Sequence, residues 1–131
     1  MKALIVEDDF TSRLLLQGLL QPHGECHISV NGKEAVEAFR TALASGQPYN
    51  LVCLDIMMPE MDGQTALKHI REIENKSGIF SSDGAKVIMT TALDDKVNIM
   101  SAFREQCDLY LVKPIEKEKL RESLVSLHLI S

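Results

Sequence analysis

The sequence predicts an α/β domain of the doubly wound kind, in which a parallel five-stranded sheet carries helices on both faces. Five short runs of apolar or β-branched residues alternate with five stretches whose apolar residues recur at helical spacing, giving a βα order repeated five times. The runs are apolar almost throughout, as strands covered on both faces require. A helix between every pair of strands supplies the right-handed crossover that parallel pairing needs. With 131 residues and 45% apolar composition, the chain suits one compact domain with its own core.

In chain order, residues 2–6 (KALIV) read as the first strand, and Leu15, Leu16, Leu19 and Leu20 mark the first helix, which exits at Pro22 to Gly24. Residues 26–30 (CHISV) form the second strand. Asn31-Gly32 then starts a helix marked by Val36, Phe39 and Leu43, which ends at Ser45 to Pro48. Residues 50–54 (NLVCL) are the third strand, and Asp62-Gly63 opens the helix of Leu67, Ile70 and Ile73. Asn75 to Gly84 is rich in Gly and Ser and reads as a loop, with Ile79 and Phe80 packing back onto the body. Residues 86–90 (KVIMT) and 109–112 (LYLV) complete the strands. Between them lies a fourth helix marked by Met100 and Phe103 and capped by Asp94 and Asp95. After them, Leu120, Leu124 and Leu127 mark the last helix. A single domain over 1–131 with no output domain is expected.

The net charge of −5 gives no general attraction to nucleic acid or to an anionic membrane, and no basic run supplies a local one. Cys26, Cys53 and Cys107 are odd in number and widely spaced, which disfavours a disulfide framework or a zinc site and fits a reducing cytoplasm. Cys53 is expected to be inert core and Cys107 to be an exposed loop residue. The start, MKALIVEDD, lacks the apolar core of a signal peptide, and no run approaches the length of a membrane span.

Chemistry concentrates where strands end. In an open parallel sheet, ligands bind outside the carboxyl ends of the strands. Glu7 and Asp8 follow the first strand and Asp55 follows the third, so adjacency of those strands brings three carboxylates together. Two like charges about 4 Å apart repel by about 4 kcal/mol at an effective dielectric of 20, so such a cluster calls for a cation. Oxygen ligands without His or Cys favour a hard ion, and a small open set suits Mg²⁺, with Mn²⁺ as the alternative. Asp55 is the candidate nucleophile for an aspartyl phosphate. Thr91, after the fourth strand, and Lys113, after the fifth, offer a hydroxyl and an ammonium to phosphoryl oxygens at the same rim.

The set LIVEDD, LVCLDIMMPEMDG, VIMTTA and LYLVKP, one piece after each of strands one, three, four and five, resembles the receiver domain of bacterial response regulators, of the single-domain, chemotaxis-regulator-like type. The resemblance covers essentially the whole chain. It implies a flavodoxin-like three-layer sandwich with strand order 2-1-3-4-5. By position, Asp55 matches the phosphoacceptor, Asp8 the direct metal ligand, Glu7 the acid acting through metal-bound water, and Met57 the residue lending its backbone carbonyl. Thr91 matches the switch hydroxyl, because Ala92 follows it, and Lys113 the phosphate-pairing lysine. Tyr110 matches the aromatic switch. The Lys113-Pro114 bond is expected to be cis.

The resemblance also implies partners: a sensor histidine kinase or histidine phosphotransfer protein as phosphodonor, and a downstream protein target that senses the surface of the fourth helix, fifth strand and fifth helix. A monomer or a phosphorylation-dependent dimer is expected. The protein is expected to be a phosphoacceptor switch rather than an enzyme acting on outside substrates. Met57 and Leu93, two positions after Asp55 and Thr91, are apolar and offer nothing to position an attacking water, so slow autodephosphorylation is expected. The segment Gln106-Cys107-Asp108-Leu109 stands where many receivers carry Gly-Ala, and its loop loses a glycine suited to positive φ.

Plainer readings stand beside these. Glu7 and Asp8 alone would be surface charge, Lys113 a surface lysine, Thr91 a strand-end residue and Tyr110 a half-buried aromatic. Asp9 and Asp62 read as helix starts and the four histidines as surface or satisfied groups. The apolar residues Val97, Ile99, Met100, Ala102 and Phe103 fill either core or an interface. Two rival functions are a Mg²⁺-dependent phosphohydrolase with an aspartyl nucleophile, which usually wants an acid where Met57 stands, and an interaction module that has stopped using phosphate.

Overall fold

Strand pairing follows from how few polar positions the strands contain. A computed structural model describes residues 1–58, 60–79, 83–92 and 107–131. Strands β1 (Lys2–Val6), β2 (Glu25–Ser29), β3 (Leu51–Asp55), β4 (Lys86–Thr91) and β5 (Leu109–Val112) form one sheet of order β2-β1-β3-β4-β5. Every neighbouring pair is parallel. Helices α1 (Phe10–Leu20), α2 (Gly32–Ala44), α3 (Gly63–Lys76) and the last helix, α4 (Lys117–Ser126), cover it. The fourth helical pattern read from the sequence, with Asp94, Asp95, Val97, Met100 and Phe103, lies outside the described residues, as do Phe80, Leu93 and Gln106.

The period of two along each strand sorts the core into two layers. Leu4 and Val6 of β1, Val52 and Leu54 of β3, and Val87 and Met89 of β4 meet Val36 and Phe39 of α2 and Leu67 and Ile70 of α3. Ala3 and Ile5, Leu51 and Cys53, and Ile88 turn the other way, onto Leu16 and Leu20 of α1 and Leu120 and Leu124 of α4. Both faces of β1, β3 and β4 are thereby dry, which is why those strands lack polar alternation. Edge strands β2 and β5 are only partly covered and keep Glu25, His27 and Tyr110. In α1 the buried stripe is narrower than the four leucines suggested: Leu16 and Leu20 are buried, whereas Leu15 is exposed.

Helix starts obey local chemistry. The side chains of Asp9, Asn31 and Asp62 accept hydrogen bonds from the backbone N–H of Ser12, Glu34 and Thr65 at 2.9, 2.8 and 2.8 Å, satisfying N–H groups the first helical turn leaves unpaired. α1 ends at Leu20 and the chain leaves it through a 3-10 turn at Gln21–His23, in keeping with the exit read at Pro22 to Gly24. α3 reaches Lys76, two residues into the segment read as loop, and Ile79 packs back half-buried with its N–H on the Glu74 carbonyl at 2.9 Å.

One polar cluster was not foreseen. Arg71 and Glu74, three residues apart on α3, are both buried, and Arg71 Nη1 donates to Glu74 Oε1 at 2.7 Å and to the Ala85 carbonyl at 2.8 Å. Arg71 Nη2 meets Asp108 Oδ2 at 3.1 Å, and the same carboxylates accept from the N–H groups of Ala85 and Val87. The cluster ties the end of α3 to the start of β4 and to the turn before β5. It also corrects the expectation for Cys107, which is buried beside Asp108 with its thiol pushed up to about 11 by burial. Removing one member leaves buried charge unpaired, so Arg71→Ala is expected to cost about 3–5 kcal/mol in urea unfolding, far more than an exposed arginine such as Arg121.

Candidate functional site

The carboxyl ends of β1, β3, β4 and β5 open on one rim, because the strands are parallel and closely in register. β1 and β3 are adjacent, with Val6 paired to Leu54, so Glu7 and Asp8 emerge beside Asp55. Asp55 is the last residue of β3 rather than the first beyond it, paired with Thr90, and Thr91 likewise closes β4 opposite Val112. The ladder continues one step further as the Lys113 N–H donates to the Thr91 carbonyl at 2.7 Å. Lys113-Pro114 is cis.

The turn after β3 is equally tight. Gly63 donates its N–H to the Ile56 carbonyl at 2.9 Å, and a Cβ on Gly63 would collide with the carbonyl oxygen of Asp55. Any larger residue would push the strand end, and Asp55 with it, off this position. Asp62 is the N-cap of α3 and Asp9 that of α1, as read from sequence. Met57 lies just past β3 with an exposed side chain, and its N–H donates to Asp55 Oδ1 at 3.3 Å.

Glu7 is fully buried, Asp55 is nearly so, and Asp8 is exposed; one carboxylate oxygen of each lies within 4.8 Å of the others. Lys113 Nζ stands 2.5 Å from Glu7 Oε1 and 3.3 Å from Asp55 Oδ2. At that Glu7 contact the charges meet without a hydrogen bond of ordinary direction, and Oε1 has no other hydrogen-bond partner among the described residues. Burial pushes the Glu7 carboxyl up, Asp55 beside it adds to the rise, and Lys113 only partly offsets it. Burial by itself would lower the Lys113 ammonium, but Glu7 and Asp55 outweigh burial and hold it above the usual lysine value. Among the described residues, one ammonium thus contacts two of the three clustered carboxylates.

This donor set fits a hard divalent cation. It is all oxygen, open to water at Asp8, and contains a buried carboxylate oxygen still lacking a hydrogen bond. Thr91 is buried, and its hydroxyl donates to the Ala92 carbonyl at 2.9 Å; Tyr110 is 40% exposed on edge strand β5. A cavity of about 460 Å³ bordered by Phe39, Tyr49, Asn50, Glu74 and Lys86 lies at the opposite pole, by the strand starts. The histidines take no part: His27 Nδ1, for example, is satisfied by the Tyr49 hydroxyl at 2.7 Å. Cys53 is buried, with its thiol pushed up to about 12 by desolvation, and is inert packing.

Sequence reading missed Arg13. From the second turn of α1 its Nη1 donates to the backbone carbonyl of Glu7 at 3.2 Å. The helical offset of six residues gave no signal for this contact, since it depends on where the turn at Asp8 and Asp9 sends the chain.

Residues 3–125 match the response regulator receiver domain. The chemotaxis protein CheY of Bacillus subtilis is 30% identical over 125 residues, covering 94% of this chain and 93% of that protein. Against probable histidine kinase 2 of Oryza sativa subsp. indica the identity is 29% over 95% of this chain, which spans only 12% of that kinase. Among solved structures, the co-crystal structure of the Saccharomyces cerevisiae phosphotransfer protein Ypd1 with the receiver domain of its downstream response regulator Ssk1 gives a TM-score of 0.82. Identity there is 26%, over 97% of this chain and 88% of that one. The receiver domain of the sensor histidine kinase PA1611 from Pseudomonas aeruginosa, with a magnesium ion coordinated in its active site cleft, shares the fold at a TM-score of 0.78. It is 23% identical, over 96% of this chain and 95% of that one.

The raised Glu7 carboxyl sets a sign. Above its ordinary value of 4.5 the folded protein holds this proton more firmly than the unfolded chain does, so the group lowers stability as pH rises through that window. Lys113, also raised, carries the same sign in a more alkaline window: its contribution is complete below 10.5 and is lost as pH rises beyond that. Glu7→Gln is accordingly expected to raise the melting temperature of the metal-free protein at neutral pH. A lower melting temperature in differential scanning calorimetry would contradict this.

Proposed function

The chain belongs to the response regulator receiver domain family, the phosphorylation-controlled signalling switches of two-component systems, and on that premise we propose that Asp55 is its phosphoacceptor. The observation that carries the proposal is the convergence of one half-buried ammonium, Lys113, on the carboxylates of Asp55 and Glu7 at a rim where Asp8 faces water. A nucleophilic carboxylate, a cation for phosphoryl oxygens and a hard-ion donor set then share one site.

In the proposed reaction an Asp55 carboxylate oxygen attacks phosphorus in line. The new O–P bond forms as the bond from phosphorus to the donor's imidazole nitrogen breaks, and that nitrogen keeps the electron pair. Glu7, Asp8, Asp55 and the Met57 carbonyl would hold Mg²⁺, or Mn²⁺ in its place. The bound ion offsets negative charge on the phosphoryl oxygens and so lowers the cost of bringing them to a carboxylate. Lys113 pairs with one of those oxygens. The Thr91 hydroxyl leaves the Ala92 carbonyl and donates to another, and Tyr110 moves inward from its exposed position on β5. The outer surface around β5 and the last helix changes with it, biasing a two-state equilibrium toward a form that binds a protein target.

The relatives support a class of phosphodonor. A receiver in the Ypd1–Ssk1 co-crystal structure is bound to a histidine phosphotransfer protein, and the rice relative is named a histidine kinase. We assign this chain a donor of that kind, a sensor histidine kinase or a phosphotransfer protein, acting in the cytoplasm. No helix among the described residues is long and apolar enough to cross a membrane.

Incubation with a small phosphodonor and Mg²⁺ is expected to add one phosphoryl group by intact mass, and none to Asp55→Asn; incorporation into the variant would place the acceptor elsewhere. Lys113→Ala is expected to slow labelling by about 100-fold or more, the scale at which losing one preorganised charge contact slows reactions. Met57 offers the attacking water no polar side chain, so phosphate release is expected to take minutes or longer. A lifetime of seconds would show that another group positions that water.

A further inference from the structure

Glu7 must leave the sheet at a defined angle if its carboxylate is to stay beside those of Asp8 and Asp55. The last paired position of β1 with β3 is Val6, so both peptide groups of Glu7 lie beyond the register of that pair. Its N–H is held by the Ser29 carbonyl of β2 at 3.1 Å. Its carbonyl is held from the other side by the Arg13 guanidinium at 3.2 Å. Arg13 is itself well placed: α1 begins on the Asp9 cap, the Arg13 side chain is half-buried, and its guanidinium stands 5.5 Å from the centroid of the Phe10 ring.

We infer that Arg13 is a positioning residue for the divalent-ion site: it clamps the Glu7 carbonyl and so fixes where the carboxylates of Glu7 and Asp8 sit. The inference rests on the reading of Glu7, Asp8 and Asp55 as that site. Arg13 reaches it through a backbone oxygen rather than through the carboxylates. The peptide following that oxygen carries Asp8, so a swing of the unclamped peptide would move the exposed ligand and the buried one together. Groups that orient metal ligands from behind are commonly worth 10–100-fold in metal affinity.

Two effects of Arg13 have opposite signs, which makes the inference testable. As a charge alone, an arginine near a divalent cation repels it, and its removal strengthens binding. As a clamp, its removal weakens binding. Arg13→Met keeps the stem and its packing on Phe10 but has no donor, whereas Arg13→Lys keeps a charged donor on a long stem.

Calorimetric titration of Mg²⁺ into the full chain at constant ionic strength separates the cases, with circular dichroism showing that each variant is folded. Arg13→Met is expected to bind Mg²⁺ about tenfold more weakly than the parent, and Arg13→Lys to recover most of that loss. Equal or tighter binding by Arg13→Met overturns the clamp and leaves the ion site standing, and so does a Lys variant as weak as the Met variant. A parent that takes up no Mg²⁺ removes the ion site and the inference with it. Arg13→Gln, whose side chain is too short to span the same gap, replaces the Met variant if that one does not fold.

Discussion

Mutual repulsion among Glu7, Asp8 and Asp55, restrained among the described residues by the ammonium of Lys113, is the constraint on which the rest of this structure turns. At an effective dielectric of 20, each pair of carboxylates about 4 Å apart costs about 4 kcal/mol. The fold accepts that cost at one rim and withholds water from two of the three groups. Among the described residues the site is thereby short of positive charge, which suits it to a further cation. Burial works in the same direction: it makes Glu7 harder to ionise and leaves Lys113 charged because its two neighbours are negative.

A parallel sheet makes that concentration of charge possible. All five strands end on the same side; the cap on Asp9 turns the chain into α1 directly after Asp8, and the cap on Asp62 starts α3 after the turn that follows Asp55. The Asp62-Gly63 pair acts at two levels, starting a helix and letting its first turn rest on the Asp55 carbonyl. Toward the other pole, the Arg71, Glu74 and Asp108 cluster is the electrostatic counterpart of the site. Its charges are matched by one another and by backbone groups of Ala85 and Val87, so it adds order without adding demand for a ligand. One cluster is fully partnered and structural; the other is under-partnered and chemical.

Much of this was legible in the residues. The dry central strands announced themselves by lacking polar alternation, and Asn31, Asp62 and Asp9 announced helix starts by residue type. The rim set was legible because each member sits at a strand end, which the apolar runs locate to within a residue. The remainder depended on distances no linear pattern encodes. Arg71 and Glu74 look like an ordinary exposed helical pair, and only the approach of Ala85 and Asp108 makes them buried. Cys107 looked like loop and is core because Asp108, next to it, is drawn inward to Arg71. Leu15 looked like core and is exposed because one stripe of α1 suffices to cover its part of the sheet. Arg13 could not be tied to Glu7 before the direction of the turn at Asp8 was known.

The claim that these carboxylates form one divalent-ion site is tested most directly by adding substoichiometric Mn²⁺ to isotope-labelled protein and recording which backbone amide signals broaden. Broadening should be centred on Glu7, Asp8, Asp55, Ile56 and Met57, should reach Lys113, and should be reversed by excess Mg²⁺. Broadening spread over exposed acids such as Glu25, Glu37 and Glu72, or centred away from the β1 and β3 ends, would contradict it.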